Sequence, residues 1–169
     1  MSAVAAPVTK LPFQKAVEAR DLDALVEAFT PDAVIHGPNS DAFLVRGRDE
    51  IRTLYRANFE AFPEVRFTEE LRSASGDSAV LMARMTIDGT DVEIADHMRL
   101  DEQGRVRQLT VFFRPMAGLA VASRTMAAAL GRQRSPLRGR IMAALATPLV
   151  AQSKSSERFA ARLVPPLLR

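Results

Sequence analysis

Val-Glu-Ile-Ala-Asp-His-Met-Arg-Leu, residues 92–100, alternates between apolar and polar side chains as a half-buried β-strand does. Successive side chains of a strand point to opposite faces, so one face carries Val92, Ile94, Met98 and Leu100. Asp96 lies in the middle of that apolar face. A buried carboxyl must find hydrogen-bond partners or take up a proton, and both states are typical of functional sites. The alternative is a position at the edge or mouth of the sheet, where Asp96 reaches water or pairs with an arginine.

Three further strands are predicted around this one, separated by turn sequences rich in Gly, Ser and Asp. They cover residues 65–73, 79–87 and 106–113. Upstream, the spacing of apolar residues predicts helices over 13–19, 22–29 and 49–62, with a short strand over 33–36. Asp21 is the predicted N-cap of the second helix, which Pro31 is predicted to end. Because helices precede hairpins, the predicted class is α+β, with helices on one face of an antiparallel sheet.

The last third of the chain differs in composition from the rest. After Pro115 and Gly118 it is rich in Ala, Leu and Met, which predicts two helices separated around residues 131–139. Pro148, Pro165 and Pro166 are predicted to break the helical structure after residue 139, and the end of this segment is predicted to be disordered. The chain is therefore divided into a disordered N-terminus (1–12), one α+β domain (13–116) and a basic helical C-terminal extension (117–169).

Charge is distributed unevenly along the 169 residues, whose net charge is +3. Residues 120–169 contain a single acid, Glu157, and nine basic residues: Arg124, Arg132, Arg134, Arg138, Arg140, Lys154, Arg158, Arg162 and Arg169. The rest of the chain is acidic. The extension could pack on this acidic body with its arginines in solvent, or it could make a peripheral membrane or protein contact. Nucleic acid is disfavoured as a partner, because Phe159 is the only aromatic residue of the extension.

Several classes of site and location are disfavoured by composition. The chain has no cysteine, which excludes disulfides and thiolate nucleophiles, and its two histidines, His36 and His97, make a His-rich metal site improbable. No metal and no cofactor are predicted. The N-terminal segment lacks a basic region and contains Pro7 and Pro12, unlike a signal peptide. No apolar run approaches the roughly 20 residues of a membrane-spanning helix, so a cytoplasmic protein is predicted.

Four segments carry a resemblance to a known family. They are Ala-Arg-Asp-Leu-Asp-Ala-Leu (19–25), Asp-Ala-Val-Ile-His-Gly-Pro (32–38), Gly-Arg-Asp-Glu-Ile-Arg-Thr-Leu-Tyr (47–55) and Ala-Asp-His-Met-Arg-Leu (95–100). In their order and spacing they resemble the SnoaL-like and ketosteroid isomerase-like branch of the nuclear transport factor 2 superfamily, over residues 13–113. The resemblance implies a cone-shaped fold in which a curved antiparallel sheet and N-terminal helices enclose a pocket. It also implies a homodimer formed through the open sheet face.

The catalytic positions of the family isomerase are only partly filled in this chain. That enzyme uses a general-base Asp and an oxyanion hole made of a Tyr and a protonated Asp. The resemblance places the protonated Asp at Asp96 and a supporting tyrosine at Tyr55. The oxyanion-hole tyrosine falls on Phe13, which has no hydroxyl, and the base falls on Gly37, which has no side chain. Because loss of a proton-transfer group costs about 10²- to 10⁴-fold in rate, steroid isomerisation by this constellation is not expected.

The predicted site therefore combines three catalytic candidates with an apolar lining. The catalytic candidates are Asp96, Tyr55 and His36, and the ligand-binding candidates are Phe13, Phe29, Phe59, Met82, Arg84, Met98 and Phe112. His36 is considered as a substitute base because imidazole titrates near neutral pH, although alternation directs it away from the face of Gly37. It could instead be a hydrogen-bonded residue at the strand end.

Two arginines offer a different interpretation of Asp96. Arg84 or Arg114 could pair with it and turn the site into a structural ion pair. The epoxide hydrolases of this fold place an Arg between two Asp, but Thr86 stands where the second Asp would follow Arg84, so that mechanism is not supported.

The predicted ligand is an apolar, ring-like small molecule with a carbonyl or hydroxyl group. The protein would be either an acid–base enzyme of the isomerase or polyketide cyclase type, or a binder without turnover. The alternative is a non-catalytic interaction module whose basic C-terminal helices make its contacts.

Overall fold

The computed structural model describes residues 10–40 and 44–167, which form five helices and six strands. The helices are α1 (Pro12–Ala19), α2 (Leu22–Glu27), α3 (Gly47–Ala61), α4 (Met116–Arg132) and α5 (Pro136–Leu167). The strands are β1 (Phe29–His36), β2 (Leu44–Arg46), β3 (Arg66–Arg72), β4 (Ser78–Ile87), β5 (Thr90–Leu100) and β6 (Val106–Arg114). The predicted α+β class is confirmed, as are the four long strands to within two residues at each end.

The strands form one open sheet in the order β2-β1-β6-β5-β4-β3. All neighbours are antiparallel except β1 and β6, which run parallel. The first strand begins at Phe29, four residues earlier than predicted, and the helix before it ends at Glu27. Pro31 explains the difference, because a proline disfavours helical geometry in the residue before it and so extends the chain at Thr30. The predicted N-cap is confirmed, since the Asp21 carboxyl accepts hydrogen bonds from the Asp23 and Ala24 backbone N–H groups.

Cross-strand register divides the sheet into two chemically different faces. The inner face, which the helices cover, carries Leu81, Ala83 and Met85 of β4, Ile94, Asp96 and Met98 of β5, and Leu109, Val111 and Phe113 of β6. The outer face carries Val80, Met82, Arg84, Glu93, Ala95, His97, Thr110, Phe112 and Arg114. Asp96 therefore lies on the apolar, helix-covered face, as the alternation of its strand predicts.

The three N-terminal helices close one end of the inner face. Leu25, Phe29 and Ile51 are fully buried where these helices meet β1. Arg20 fastens the α1–α2 junction to the C-terminus of α3, since its guanidinium donates to the carbonyl oxygens of Phe59, Phe62 and Pro63. Unpaired carbonyls at a helix end need such donors, so this contact fixes the position of α3 over the sheet.

Helix α4 lies across the inner face and contacts β4, β5, β6 and α3. Helix α5 folds back along α4, and the two backbones meet at Gly131 and Gly139, where a Cβ on Gly131 would lie 2.8 Å from the Gly139 Cα. Only glycine permits this approach. The predicted breaks at Pro148, Pro165 and Pro166 are wrong, because α5 continues through all three to Leu167. Each proline removes one backbone hydrogen bond, a loss that a long helix can accommodate as a kink.

Both predicted segment boundaries need correction where the structure describes them. Leu11 is 3% exposed and packs in the core, and α1 begins at Pro12, so the ordered domain starts before Phe13. The remainder of the predicted N-terminal disorder, residues 1–9, and the last two residues of the extension lie outside the described residues. The boundary at residue 117 falls inside one packed unit, because Ala117, Ala120 and Val121 of α4 are buried.

Candidate active site

A cavity of about 340 Å³ lies between the inner face of the sheet and the helices. Its volume is at the small end of the range for small-molecule sites, about 300–1,000 Å³. The sheet contributes Ala83, Met85, Ile94, Asp96, Val111 and Phe113, and α4 contributes Leu119, Ala122, Ser123, Met126, Ala127 and Leu130. Met142 of α5 completes the wall. The C-terminal extension is thus part of the cavity rather than an appendage beside it.

Asp96 is the only charged residue among the described residues that line this cavity. Its cross-strand neighbours in the sheet are Leu81 on β4 and Val111 on β6, both apolar. No described residue forms a hydrogen bond or ion pair with its carboxyl, and burial raises the pKa of Asp96 from 3.8 to about 7. A carboxyl in this state is present in both protonated and ionised forms near neutral pH, so it can donate or accept a proton.

The ion pair considered for Asp96 is absent from the structure. Arg84 and Arg114 both lie on the outer face, where each donates to the carboxylate of Glu93, at 2.8 Å and 3.1 Å respectively. Because the sheet separates them from Asp96, neither arginine lowers its pKa. The interpretation of Asp96 as a structural ion pair is wrong.

Tyr55 reaches the same cavity from α3. It is 7% exposed, and its pKa is well above the usual value because of burial and, secondarily, because of the negative charge of Asp96. Its ring packs against Phe13 and Phe29, each with centroids 6.0 Å away, and against Phe59 at 6.3 Å. The neutral phenol lines the same cavity as Asp96, where it can act as a hydrogen-bond donor.

Three uncharged polar residues also line the cavity. Asn58 lies one helical turn after Tyr55, and its side chain makes no hydrogen bond to any described residue. Asn39, after β1, and Ser123, on α4, hydrogen-bond to each other, with the Asn39 Nδ2 3.1 Å from the Ser123 Oγ. Helical spacing from Tyr55 could have identified Asn58 in the sequence. Asn39 and Ser123 are brought together only by the tertiary structure, so no local sequence pattern could have identified them.

Sequence comparison assigns the family. A profile described as the SnoaL-like domain matches residues 12–109, more than half of the chain. This chain belongs to the SnoaL-like domain family. No curated protein matches the sequence.

Several solved structures are similar to this chain in fold. A steroid delta-isomerase from Pseudomonas aeruginosa is 25% identical, with a TM-score of 0.62 over 73% of this chain and 86% of that one. A bacterial protein with a cystatin-like fold from Silicibacter pomeroyi is 19% identical, with a TM-score of 0.66 over 78% and 91%. An epoxide hydrolase/cyclase-like enzyme of pyran-ring formation in salinomycin is 28% identical, with a TM-score of 0.50 over 63% and 86%.

Some of the predicted site residues line the cavity of the SnoaL-like domain, and others lie in its core. Phe13, Tyr55 and Asp96 line the cavity, and so does Gly37. The position matched to the family base therefore faces the cavity without a side chain, and Phe13 faces it without a hydroxyl. Phe29 and Met98 are fully buried behind the wall, and Phe59 packs against Tyr55 from outside the lining.

The other predicted residues lie on the outer face of the SnoaL-like sheet. Three of them are next in sequence to the inner-face residues Ala83 and Val111, so their side chains point to the opposite face and cannot line the cavity. They are Met82, Arg84 and Phe112. His36 follows Ile35, which lines the cavity, and it pairs in register with Thr110 of the outer face. His36 is therefore not among the residues that line the cavity.

Among the described residues of the SnoaL-like domain and its extension, no group of three His, Asp or Glu side chains could hold a metal ion. The cavity instead offers one titratable carboxyl, one phenol and several amide or hydroxyl groups. This set can hydrogen-bond a carbonyl or hydroxyl group and can exchange a proton with it.

Proposed function

We propose that this SnoaL-like protein binds an apolar, ring-like small molecule in the cavity, with its carbonyl or hydroxyl group hydrogen-bonded to Asp96. The observation that carries the proposal is a single carboxyl without a protein partner, with a pKa of about 7, in a cavity wall that is mostly apolar and carries no other charge among the described residues. An unpartnered polar group inside an apolar cavity costs folding free energy, which a bound hydrogen-bonding ligand would offset.

The protonated carboxyl suits a carbonyl oxygen, which can only accept a hydrogen bond. Near pH 7 about half of the Asp96 side chains carry the required proton. Tyr55 supplies a second donor, because its phenol is neutral near pH 7. Donors held in a water-poor cavity stabilise negative charge on a ligand oxygen more strongly than donors in water do.

Acid–base turnover at Asp96 is a second candidate, favoured by the same pKa, which is close to the optimum for a proton-transfer group at neutral pH. The 25% identical neighbour is a steroid delta-isomerase, which is consistent with chemistry next to a carbonyl. With Gly37 in place of a base, the proton would have to be removed and returned by Asp96 itself. We expect such turnover to be slower than in a two-carboxyl site.

Binding of 1-tetralone, a two-ring ketone, tests the proposal by calorimetry across pH. Its oxygen only accepts hydrogen bonds, so affinity for the natural chain should fall about tenfold per pH unit above about pH 7, as Asp96 loses its proton. Asp96→Asn retains a donor that does not titrate, so its affinity should be independent of pH. Glu93→Gln, on the outer face, is the matched control and should titrate like the natural chain. An identical pH profile in Asp96→Asn would refute the role of Asp96.

Turnover is tested separately by incubating 1-tetralone in heavy water. Deuterium incorporation at the carbon next to the carbonyl, measured by mass spectrometry, reports removal of a proton by the protein. We expect Asp96→Asn to reduce it at least 10²-fold, as loss of a proton-transfer group does. Incorporation no faster than in buffer would leave binding as the function and reject turnover of this ketone type.

A further inference from the structure

Helix α5 presents an exposed apolar stripe on the side facing away from α4. The stripe consists of Leu137, Ile141, Leu145 and Leu149, spaced one turn apart and 48–73% exposed. The opposite side of the helix is packed, with Gly139, Val150 and Ser153 buried. One such leucine on a surface is ordinary, but a row over three turns of one helix is typical of an interaction site.

Unpaired positive charge accompanies the stripe. Arg138, Arg140, Lys154 and Arg158 lie on α5, and none of them forms an ion pair with a described residue. The basic residues of α4 behave differently, since Arg124 pairs with Asp88 and Arg132 with Glu60.

The single acid of the extension is turned away from this surface. The Glu157 carboxylate accepts a hydrogen bond from the Ala117 backbone N–H at 2.6 Å, which directs it toward α4. Arg138, Arg140 and Arg158 are exposed and Lys154 is half-buried, so the exposed side of α5, over its described side chains, carries arginines without a compensating anion.

The stripe is continuous with the cavity wall. Met142 follows Ile141 of the stripe, is 43% exposed, and lines the cavity beside the α4 residues Met126 and Leu130. A surface that covers the stripe would therefore also touch a wall of the cavity.

We propose that α5 docks the protein on an anionic phospholipid bilayer, with the stripe inserted at the headgroup boundary and the exposed arginines against lipid phosphates. A convex helix with an apolar side and basic flanks fits a plane of anionic lipid. A second copy of the chain fits less well, because a two-fold contact through this surface would place the unpaired arginines of both copies together. No helix in the described part of the chain is long and apolar enough to cross a bilayer.

Vesicle co-sedimentation of the full chain tests this proposal. We expect binding to vesicles of phosphatidylcholine mixed with phosphatidylglycerol, little binding to phosphatidylcholine alone, and release by salt, which screens the phosphate contacts. Leu145→Glu should reduce binding at least tenfold. Leu71→Glu, at an exposed leucine of β3, is the matched control and should bind like the natural chain.

A second pair of variants tests how much the positive charge of α5 contributes to vesicle binding. Arg140→Glu should weaken binding to the anionic vesicles, whereas Arg56→Glu, an equal charge change at an exposed position of α3, should have a smaller effect. Absence of binding by the natural chain, or equal losses in Leu145→Glu and Leu71→Glu, would overturn the proposal. So would a dimer in solution that Leu145→Glu converts to a monomer, since the occupant of the stripe would then be a second copy. Binding of 1-tetralone without vesicles reports on the cavity independently.

Discussion

Burial of Asp96 couples the folding stability of this protein to pH. The folded state holds the carboxyl proton up to about pH 7, whereas the unfolded chain releases it near the usual pKa of 3.8. Between these values the folded state binds more protons than the unfolded state, so stability falls as pH rises. The full cost of ionising Asp96 is reached above about pH 7.

Asp96→Asn should therefore stabilise the protein relative to the natural chain at pH 8 more than at pH 4. A shift of about three pKa units corresponds to roughly 4 kcal/mol at most, and relaxation around the cavity would reduce this to about 2–4 kcal/mol. Urea unfolding followed by circular dichroism at both pH values measures the difference. Glu93→Gln serves as the control, and a stability difference that does not change with pH would contradict the raised pKa.

The face of the sheet to which a side chain points could be predicted from the sequence only in strands with one apolar face. In β5 the alternation is clean apart from Asp96, and the inner-face position of Asp96 follows from it. In β4 both alternating sets of side chains contain large apolar residues, such as Leu81 and Met82. The local sequence pattern therefore could not indicate which of the two sets faces the helices. Pairing with β5 decides this, and pairing is a property of the whole sheet.

At the scale of elements, α4 forms one side of the cavity opposite the inner face of the sheet. It supplies a whole wall, and the hydrogen bond between Ser123 and Asn39 joins it to the segment after β1. The sequence indicated a helix here, but an Ala-rich helix has no pronounced apolar stripe to reveal its packing partner. Its position on the inner face could therefore not be predicted.

Ala127→Phe should abolish ligand binding by filling the cavity from α4. Ala127 lines the cavity, and the added ring would occupy space that a ring-like ligand needs. Because the cavity is open volume rather than packed core, we expect folding to be retained. Calorimetry with 1-tetralone should show at least a tenfold loss of affinity. Ala144→Phe, on the exposed side of α5, is the control, and unchanged binding in Ala127→Phe would place the ligand elsewhere.

At the scale of the molecule, the outer face of the sheet remains without a covering element in the described chain. Phe112 is 56% exposed at the centre of this face, in a cross-strand row with Met82 and Ala95. An exposed aromatic ring among apolar neighbours is typical of a protein interface. We propose that two copies associate through this face, as the family resemblance implies.

Phe112→Glu should convert the predicted dimer to a monomer while leaving ligand binding intact, because Phe112 points away from the cavity. Sedimentation equilibrium measures the mass of the natural chain and the variant at equal concentration. Leu145→Glu provides a control for adding a carboxylate at an exposed apolar position away from this face. A monomeric natural chain, or a dimer that survives Phe112→Glu, would contradict this assembly.

The two faces of β5 also constrain how the cavity can change during evolution. Deletion of one residue between Thr90 and Asp96 would reverse the orientation of all side chains on one side of the deletion. If the residues after the deletion shift, His97 would lie between Leu81 and Val111, and Asp96 would point outward. Chain-length differences among relatives should therefore be confined to turns such as Asp88-Gly89. New chemistry in this cavity should arise by substitution at positions that already face it, such as Phe13, Gly37 and Asp96.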